Sequence, residues 1–230
     1  MNVTMNVAEI RNASLSSVSF SMNIFRLQLS NGSVVDNPNI DGLVVDFRAK
    51  GSEVLVHEGA LFRNCKFIVG AGSKISIGET HKRGLINTTV DMSGIGTNKT
   101  LVIKSGVSIE SARFAMANES DLHIEIGSDC MLSSNIIFRA TDGHAMFDLE
   151  TRELLNRSRP IIIGDNCWIG SEALFMKGAI IANNSIVGTR ALVASRFDEK
   201  NVVIAGVPGK IVKRNCGWSR TYIDNYQIES

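Results

Sequence analysis

The stretch IIIGDNCWIGSEALFMKGAIIANNSIVGTRALVAS, residues 161–195, decides the fold. Read from Ile163 in steps of six, it gives Ile163, Ile169, Phe175, Ile181, Val187 and Val193, all large and apolar. The residues that follow these anchors are Gly164, Gly170, Met176, Ala182, Gly188 and Ala194, nearly all small. Four positions after each anchor stand Cys167, Ala173, Ala179, Ser185, Ala191 and Phe197, small with one exception. In a chain that is 44% hydrophobic, six apolar hits in one register arise by chance at about the 1% level. A period of six is neither the 3.6 of a helix nor the 2 of an alternating strand. It describes a short strand and a sharp corner, with one large side chain filling the interior per step. Three steps then close one triangular coil of a solenoid, whose apolar column is buried only by stacking coil on coil.

Working outward, the register continues upstream as Ile126, Leu132 and Phe138, and the pair Ile103 and Ile109 also steps by six. Looser versions appear at Val69-Gly70 and Ile77-Gly78. Cys130 and Cys167 fall in the small-residue column, which reads as corner packing rather than nucleophile or metal ligand. Residues 1–50 are less regular; Ser17–Phe20 and Leu43–Phe47 read as strands of an N-terminal β cap. The expected division is a cap over 1–50, a β-helix over 51–195 with a loop at 141–160, and a C-terminal extension over 196–230.

Between Phe138 and Ile163 the repeat breaks. The anchor expected six residues after Phe138 is His144, a poor interior filler, and the next good anchor is Ile163. The chain must leave the coil between them, and a loop of this size thrown out of a regular solenoid points to function.

Composition limits the partners. A net charge of +1 selects neither nucleic acid nor membrane by an overall field. No apolar run is long enough for a transmembrane helix, and no P-loop or G-x-G-x-x-G follows a strand. Met1 to Asn6 lacks the basic and apolar pattern of a secretory signal, and the four cysteines form no C-x-x-C pair. These features predict a cytoplasmic chain.

Three elements carry a family resemblance. Asp142-Gly143-His144-Ala145-Met146-Phe147-Asp148 resembles the D-x-H-x-I-x-D element of sugar and polysaccharide O-acetyltransferases, with Met146 in place of the usual Ile. Residues 163–171, Ile163-Gly164 through Trp168-Ile169-Gly170-Ser171, resemble their I-G-x-x-x-W-I-G-[SA] element. Ala205-Gly206-Val207-Pro208-Gly209-Lys210 resembles their A-G-x-P-[AC]-[KR] signature. The match spans about residues 120–214, within the hexapeptide-repeat acyltransferase superfamily. It implies an all-β, left-handed parallel β-helix; the period alone does not give the hand, and general crossover chirality favours the right. It also implies a homotrimer with active sites between neighbouring subunits, acetyl-CoA as co-substrate and a glycan or sugar acceptor.

The chemistry needs few parts. A sugar hydroxyl is a poor nucleophile, and an imidazole with an ordinary pKa of ~6.5 can take its proton as it attacks a thioester. His144 is the expected base. Asp142 and Asp148 flank it, either to orient the ring or to bind the acceptor; Asp142-Gly143 also reads as a simple turn. The oxyanion needs a donor, and the resemblance assigns it to the backbone N–H of Ser171. Trp168 reads as a cofactor-side or packing residue, and Lys177 as an outward lysine that meets CoA, a neighbouring subunit or solvent. From Arg196 to Arg220 six basic residues face two acidic ones, a complement to CoA phosphates; the resemblance points to Arg196, Lys210 and Lys213. Lys200 and Arg220 read equally well as solvated tail cations.

Two other classes compete. A free sugar, a nucleotide-linked amino sugar or serine could be the acceptor, and a β-helix binding scaffold would need no chemistry. A metal-dependent carbonic anhydrase on this scaffold needs three imidazoles on one ion. The four histidines are spaced 24, 42 and 21 residues apart with no close pair, so no metal is expected.

Overall fold

The six anchors of residues 163–193 are buried in succession on the three inner walls of a triangular prism. Ile163 pairs in parallel with Ile181, so three steps of six complete one coil. The computed structural model describes residues 22–227; the strand expected at Ser17–Phe20 lies outside them. Almost everything described is strand and turn, the one helical element being a 3-10 turn at Ile223–Asn225.

The chain visits the walls in a fixed order. The first wall is a nine-stranded sheet that includes Thr100–Ile103, His123–Ile126, Ile161–Ile163 and Ile180–Ile181. The second has eight strands, including Ser108–Ile109, Met131–Leu132, Trp168–Ile169 and Ile186–Val187. The third has seven, including Ala112–Ala115, Ile136–Arg139, Leu174–Met176 and Leu192–Val193. Every pairing between coils is parallel. Among the described residues the only antiparallel pairings between strands close the ends: Val34–Asp36 on Ile24–Gln28, and Lys210–Arg214 on Val202–Ala205. These hairpins cover edges that would otherwise offer free N–H and C=O groups.

Sheet pairing crosses both expected boundaries, at 50/51 and at 195/196. Ile24–Gln28 and Leu43–Phe47 are already parallel rungs, and Arg196–Phe197 and Val202–Ala205 still continue the first and second walls. The period hides this because it is strict only near residues 163–193. Upstream, Ile103 pairs with Ile77, 26 residues back, and with Ile126, 23 residues on. The surplus bulges out at corners, notably between the third and first walls. There Lys99 is fully buried, and its ammonium donates to the carbonyls of Met92 (2.8 Å), Ser93 (3.2 Å) and Ile95 (3.3 Å). These acceptors offset much of the cost of burying the charge, though burial still pulls the Lys99 pKa below the ordinary lysine range.

Inside, Phe114, Phe138 and Phe175 stack face to face, with centroids 4.7 and 4.9 Å apart and planes 3° and 13° from parallel. The small column behaves as its size dictates: Cys130, Cys167, Ala173, Ala179, Ser185 and Ala191 are all fully buried. Phe197, its one large member, is only partly buried, on the last strand of the first wall where no further coil crowds it. Corners between the first and second walls are turned by Asp129, Asn166, Asn184 and Asn201, all at positive φ near 55°, where Asn and Asp are better tolerated than other side chains.

Candidate functional site

Between Arg139, the end of a third-wall strand, and Ile161, the start of a first-wall strand, the chain leaves the prism. The excursion is an arm folded back on itself. Phe147 bridges Leu154 in antiparallel fashion, the Leu155 N–H donates to the Met146 carbonyl (2.8 Å), and the Asp148 N–H donates to the Glu153 carbonyl (2.9 Å). His144 lies at the base of this arm, exposed, on a cleft of about 160 Å³ between the arm and the corner residues Asn118 and Glu119 of the preceding coil.

The base of the arm is braced by charge. Lys177, just after the third-wall strand of the following coil, donates to Asp142 Oδ2 and to the Asn156 carbonyl, both at 2.5 Å. Asn156 Nδ2 donates to Asp142 Oδ2 and to the His144 carbonyl, both at 2.8 Å. The Lys177 ammonium, followed by the Asn156 amide, holds the Asp142 carboxyl below the usual carboxylate range. Asp142 therefore anchors the arm, its carboxylate accepting from Lys177 and Asn156 rather than from the imidazole. Lys177 does leave the coil outward as expected, but it is covered by the arm, its side chain only 15% exposed.

Asp148 takes the turn role. Its Oδ1 accepts the N–H groups of Glu150 (2.9 Å) and Thr151 (2.8 Å), and those bonds pull its carboxyl below the ordinary range. It shapes the hairpin tip, its carboxylate engaged by that turn rather than by His144. Arg152, at positive φ, closes the same tip with its guanidinium 4.3 Å from the Phe147 ring centre.

The other expected residues lie on different faces. Trp168 points outward from the second wall, paired with Met131 and Ile186, while the arm springs from the opposite corner, between the third and first walls. Ser171 sits at the corner between second and third walls. Its N–H has no acceptor among the described residues, and neither have those of Ser134 and Thr189, which occupy the same corner in the adjacent coils. Arg196 ends the first wall and is held by Asp198 at 2.6 and 2.7 Å. Lys210 and Lys213 are exposed on the last strand of the second wall. One copy thus gathers His144, Asp142 and Lys177, and keeps Trp168, Ser171, Arg196, Lys210 and Lys213 apart from them. Among the described residues no group of three or more His, Cys, Asp or Glu side chains is placed to hold a metal, and no helix is long and apolar enough to cross a membrane.

Three features escaped the sequence. Glu119 accepts from both ends of the arm, from Thr141 Oγ1 (2.6 Å) and from the Ser158 N–H (2.8 Å). Its partners are 22 and 39 residues on, so only the coil lengths could have revealed it. Asn156 stands at no repeat position. The third feature is a C-terminal strap. Trp218 donates to the Asn166 carbonyl (2.8 Å) and lies 6.3 Å from the Trp168 ring. Arg220, read above as either a phosphate-binding or a solvated cation, donates instead to Ser108 Oγ (2.8 Å) and to the carbonyls of Cys130 (2.9 Å), Gly106 (3.2 Å) and Asp129 (3.3 Å). A second tryptophan beside an arginine was the only hint.

Residues 160–195 match the family model for bacterial transferase hexapeptide, six repeats. The chain is 34% identical over 99 residues to the polysialic acid O-acetyltransferase of Escherichia coli O1:K1 / APEC, covering 43% of this chain and 32% of that protein. It is 31% identical over 120 residues to the galactoside O-acetyltransferase of Escherichia coli K12, covering 52% and 58%. The matched part is therefore less than two thirds of these relatives' own lengths. Among solved structures, the polySia-specific acetyltransferase NeuO superposes with a TM-score of 0.70 at 24% identity, over 89% of this chain and 81% of that one, a likeness of fold. By its repeat and its architecture the chain is a left-handed hexapeptide-repeat β-helix, and over part of its length it is similar to polysialic acid and galactoside O-acetyltransferases.

Proposed function

We propose that this protein is an O-acetyltransferase that moves acetyl from acetyl-CoA to a hydroxyl of a cell-surface polysaccharide or its sugar precursor. The observation that carries the reading is His144 at the braced base of the arm, open to a cleft. The relatives named for O-acetylation of polysialic acid and galactosides support the same chemistry.

In this mechanism the acceptor hydroxyl gives its proton to the His144 imidazole as its oxygen attacks the thioester carbonyl. A C–O bond forms, the negative charge on the former carbonyl oxygen is met by the Ser171 N–H, and the C–S bond then breaks. The proton leaves His144 with the CoA thiolate. General-base assistance of this kind is worth ~10²–10⁴ in rate, and one well-placed oxyanion donor ~10²–10³.

Asp142 and Lys177 hold the arm rather than the cofactor in this reading, and Asp148 shapes its tip. Trp168, Arg196, Lys210 and Lys213 bind CoA, the lysines meeting its phosphates as charge-assisted donors. Because His144 and Trp168 leave opposite sides of the prism, a complete site takes its base from one copy and its cofactor face from a neighbour. A homotrimer satisfies this with three equivalent sites. A cytoplasmic setting suits both the acetyl-CoA supply and the free cysteines.

The test is direct. Purified protein offered acetyl-CoA and a panel of glycans, free sugars, nucleotide-linked amino sugars and serine is assayed for thiol release, and the product is identified by mass spectrometry. His144→Ala is expected to lose at least ~10² in turnover. Unchanged turnover in that variant removes His144 as the base, and absence of transfer to every acceptor revives the scaffold reading.

A further inference from the structure

We propose that Glu119 is a positioning residue that fixes the arm, and with it the imidazole of His144, by clamping both ends of the excursion; this rests on the reading of His144 as the base. An excursion from a solenoid has two feet, and unless they are tied together the segment between them is free to swing. Here the feet are Thr141, on the way out, and Ser158, on the way back. Glu119 belongs to neither. It lies in the corner of the preceding coil and spans them, Oε2 accepting from the Thr141 hydroxyl and Oε1 from the Ser158 N–H. A second tie joins the feet directly, from Ser158 Oγ to the Ala140 carbonyl.

The clamp leads toward the base. Thr141 Oγ1, which donates to Glu119, also accepts the N–H of Gly143 at 3.1 Å. Gly143 is the residue before His144. The carboxylate therefore sets the hydroxyl, and the hydroxyl sets the backbone that presents the imidazole. Glu119 borders the same cleft as His144, but both of its oxygens are engaged, which suits a brace better than a proton acceptor.

Glu119 is itself seated firmly. A Cβ at Gly96, in the coil below, would come within 2.4 Å of the Glu119 carbonyl carbon, so the two backbones lie in close contact and position 96, at φ +92°, requires glycine. The Thr97 N–H donates to Ser120 Oγ at 3.0 Å, and the Asp121 N–H to the Thr97 carbonyl at 2.9 Å. That lower corner is the one pinned by the buried Lys99 ammonium through the carbonyls of Met92, Ser93 and Ile95. A rigid support thus runs from the prism interior through Glu119 to the arm. Catalytic geometry needs this, because a misplacement of about 1 Å can cost ~10²-fold in rate.

The experiment compares wild type, Glu119→Ala, Glu119→Gln and Thr141→Val in the full chain, by steady-state kinetics and by amide hydrogen exchange over residues 142–157. Glu119→Ala should lower kcat by ~10–10² with KM for acetyl-CoA within about twofold, and should speed exchange across the arm by at least about tenfold. Glu119→Gln should recover most of both, since its carbonyl still accepts from Ser158 and its amide can donate to Thr141. Thr141→Val, which keeps the shape and loses one foot, should fall between, and it carries the test should Glu119→Ala fail to fold. Wild-type exchange in both Glu119→Ala and Thr141→Val overturns the clamp. So does a kcat loss in Glu119→Ala that Gln does not restore. If His144→Ala retains full turnover, the base assignment fails by itself, and the exchange measurement still decides whether Glu119 holds the arm.

Discussion

Replacing Phe138 with alanine should destabilise the prism more than the same change at Phe114 or Phe175, and the difference can be worked from the stack. All three rings are fully buried, at the same wall and in successive coils. Each change removes the same atoms and opens a cavity of similar size, for ~3–5 kcal/mol. The rings differ in their partners. Phe138 stacks on both neighbours, whereas Phe114 and Phe175 each stack on one. An aromatic pair adds ~0.5–1.5 kcal/mol beyond area burial, so Phe138→Ala should cost about that much more than either flanking variant. The site feels it too, since Phe138 is the last interior anchor before the chain departs for the arm, and Phe175 lies two residues before Lys177. The measurement is equilibrium unfolding in guanidinium at one fixed protein concentration, because the apparent stability of the proposed trimer would move with concentration. Two flanking controls guard against an end effect, since coils near the end of a solenoid lose less on disruption. A Phe138→Ala cost below that of both flanking variants would refute the additive stack.

Lys177→Met keeps a long stem and removes the charge that holds Asp142. The two side chains are 15% and 31% exposed, so after solvent screening the brace is worth about 1–2 kcal/mol to arm docking, a ~5–30-fold rise in arm exchange on its loss. The same pair makes arm docking acid-sensitive. The Asp142 carboxyl is held below its ordinary value by Lys177 and Asn156, so its contribution is complete above about pH 4 and is lost as pH falls through the lowered folded value. Arm exchange, corrected for intrinsic rate, should rise in acid in wild type and show a smaller rise in Lys177→Met; equal acid responses would count against the brace. Arg220→Ala should release the C-terminal strap. The chain has two tryptophans, and both should show red-shifted emission and easier quenching by iodide, so an unchanged spectrum would mean that Trp218 holds the strap without Arg220.

How much of this was legible depended on whether a residue answers to its own coil or to another. The anchors and the small column are set by one local requirement, interior filling at fixed steps, and so Ile163 to Val193 declared the prism without help. The break at His144 was legible for the same reason, because an imidazole cannot fill the place of Phe138 or Ile163. The ends of the prism were harder to read because the count of six lapses where coils lengthen, although the ladder pairing continues through Ile24–Gln28 and Val202–Ala205. The roles of Asp142, Lys177 and Glu119 were illegible in a stronger sense. Lys177 meets Asp142 35 residues away, and Glu119 meets Ser158 39 residues away; neither spacing is a multiple of any period in the chain. Such contacts exist only because inserted residues collect on one corner of the prism, where surplus from one coil comes to rest on surplus from the next. The bulge below the arm is held by Lys99 and the bulge at its feet by Glu119, so the irregular coils that blur the repeat also supply the foundation of the arm. If that is correct, shortening the 93–98 corner to the strict repeat should loosen the arm while the rungs above it remain paired.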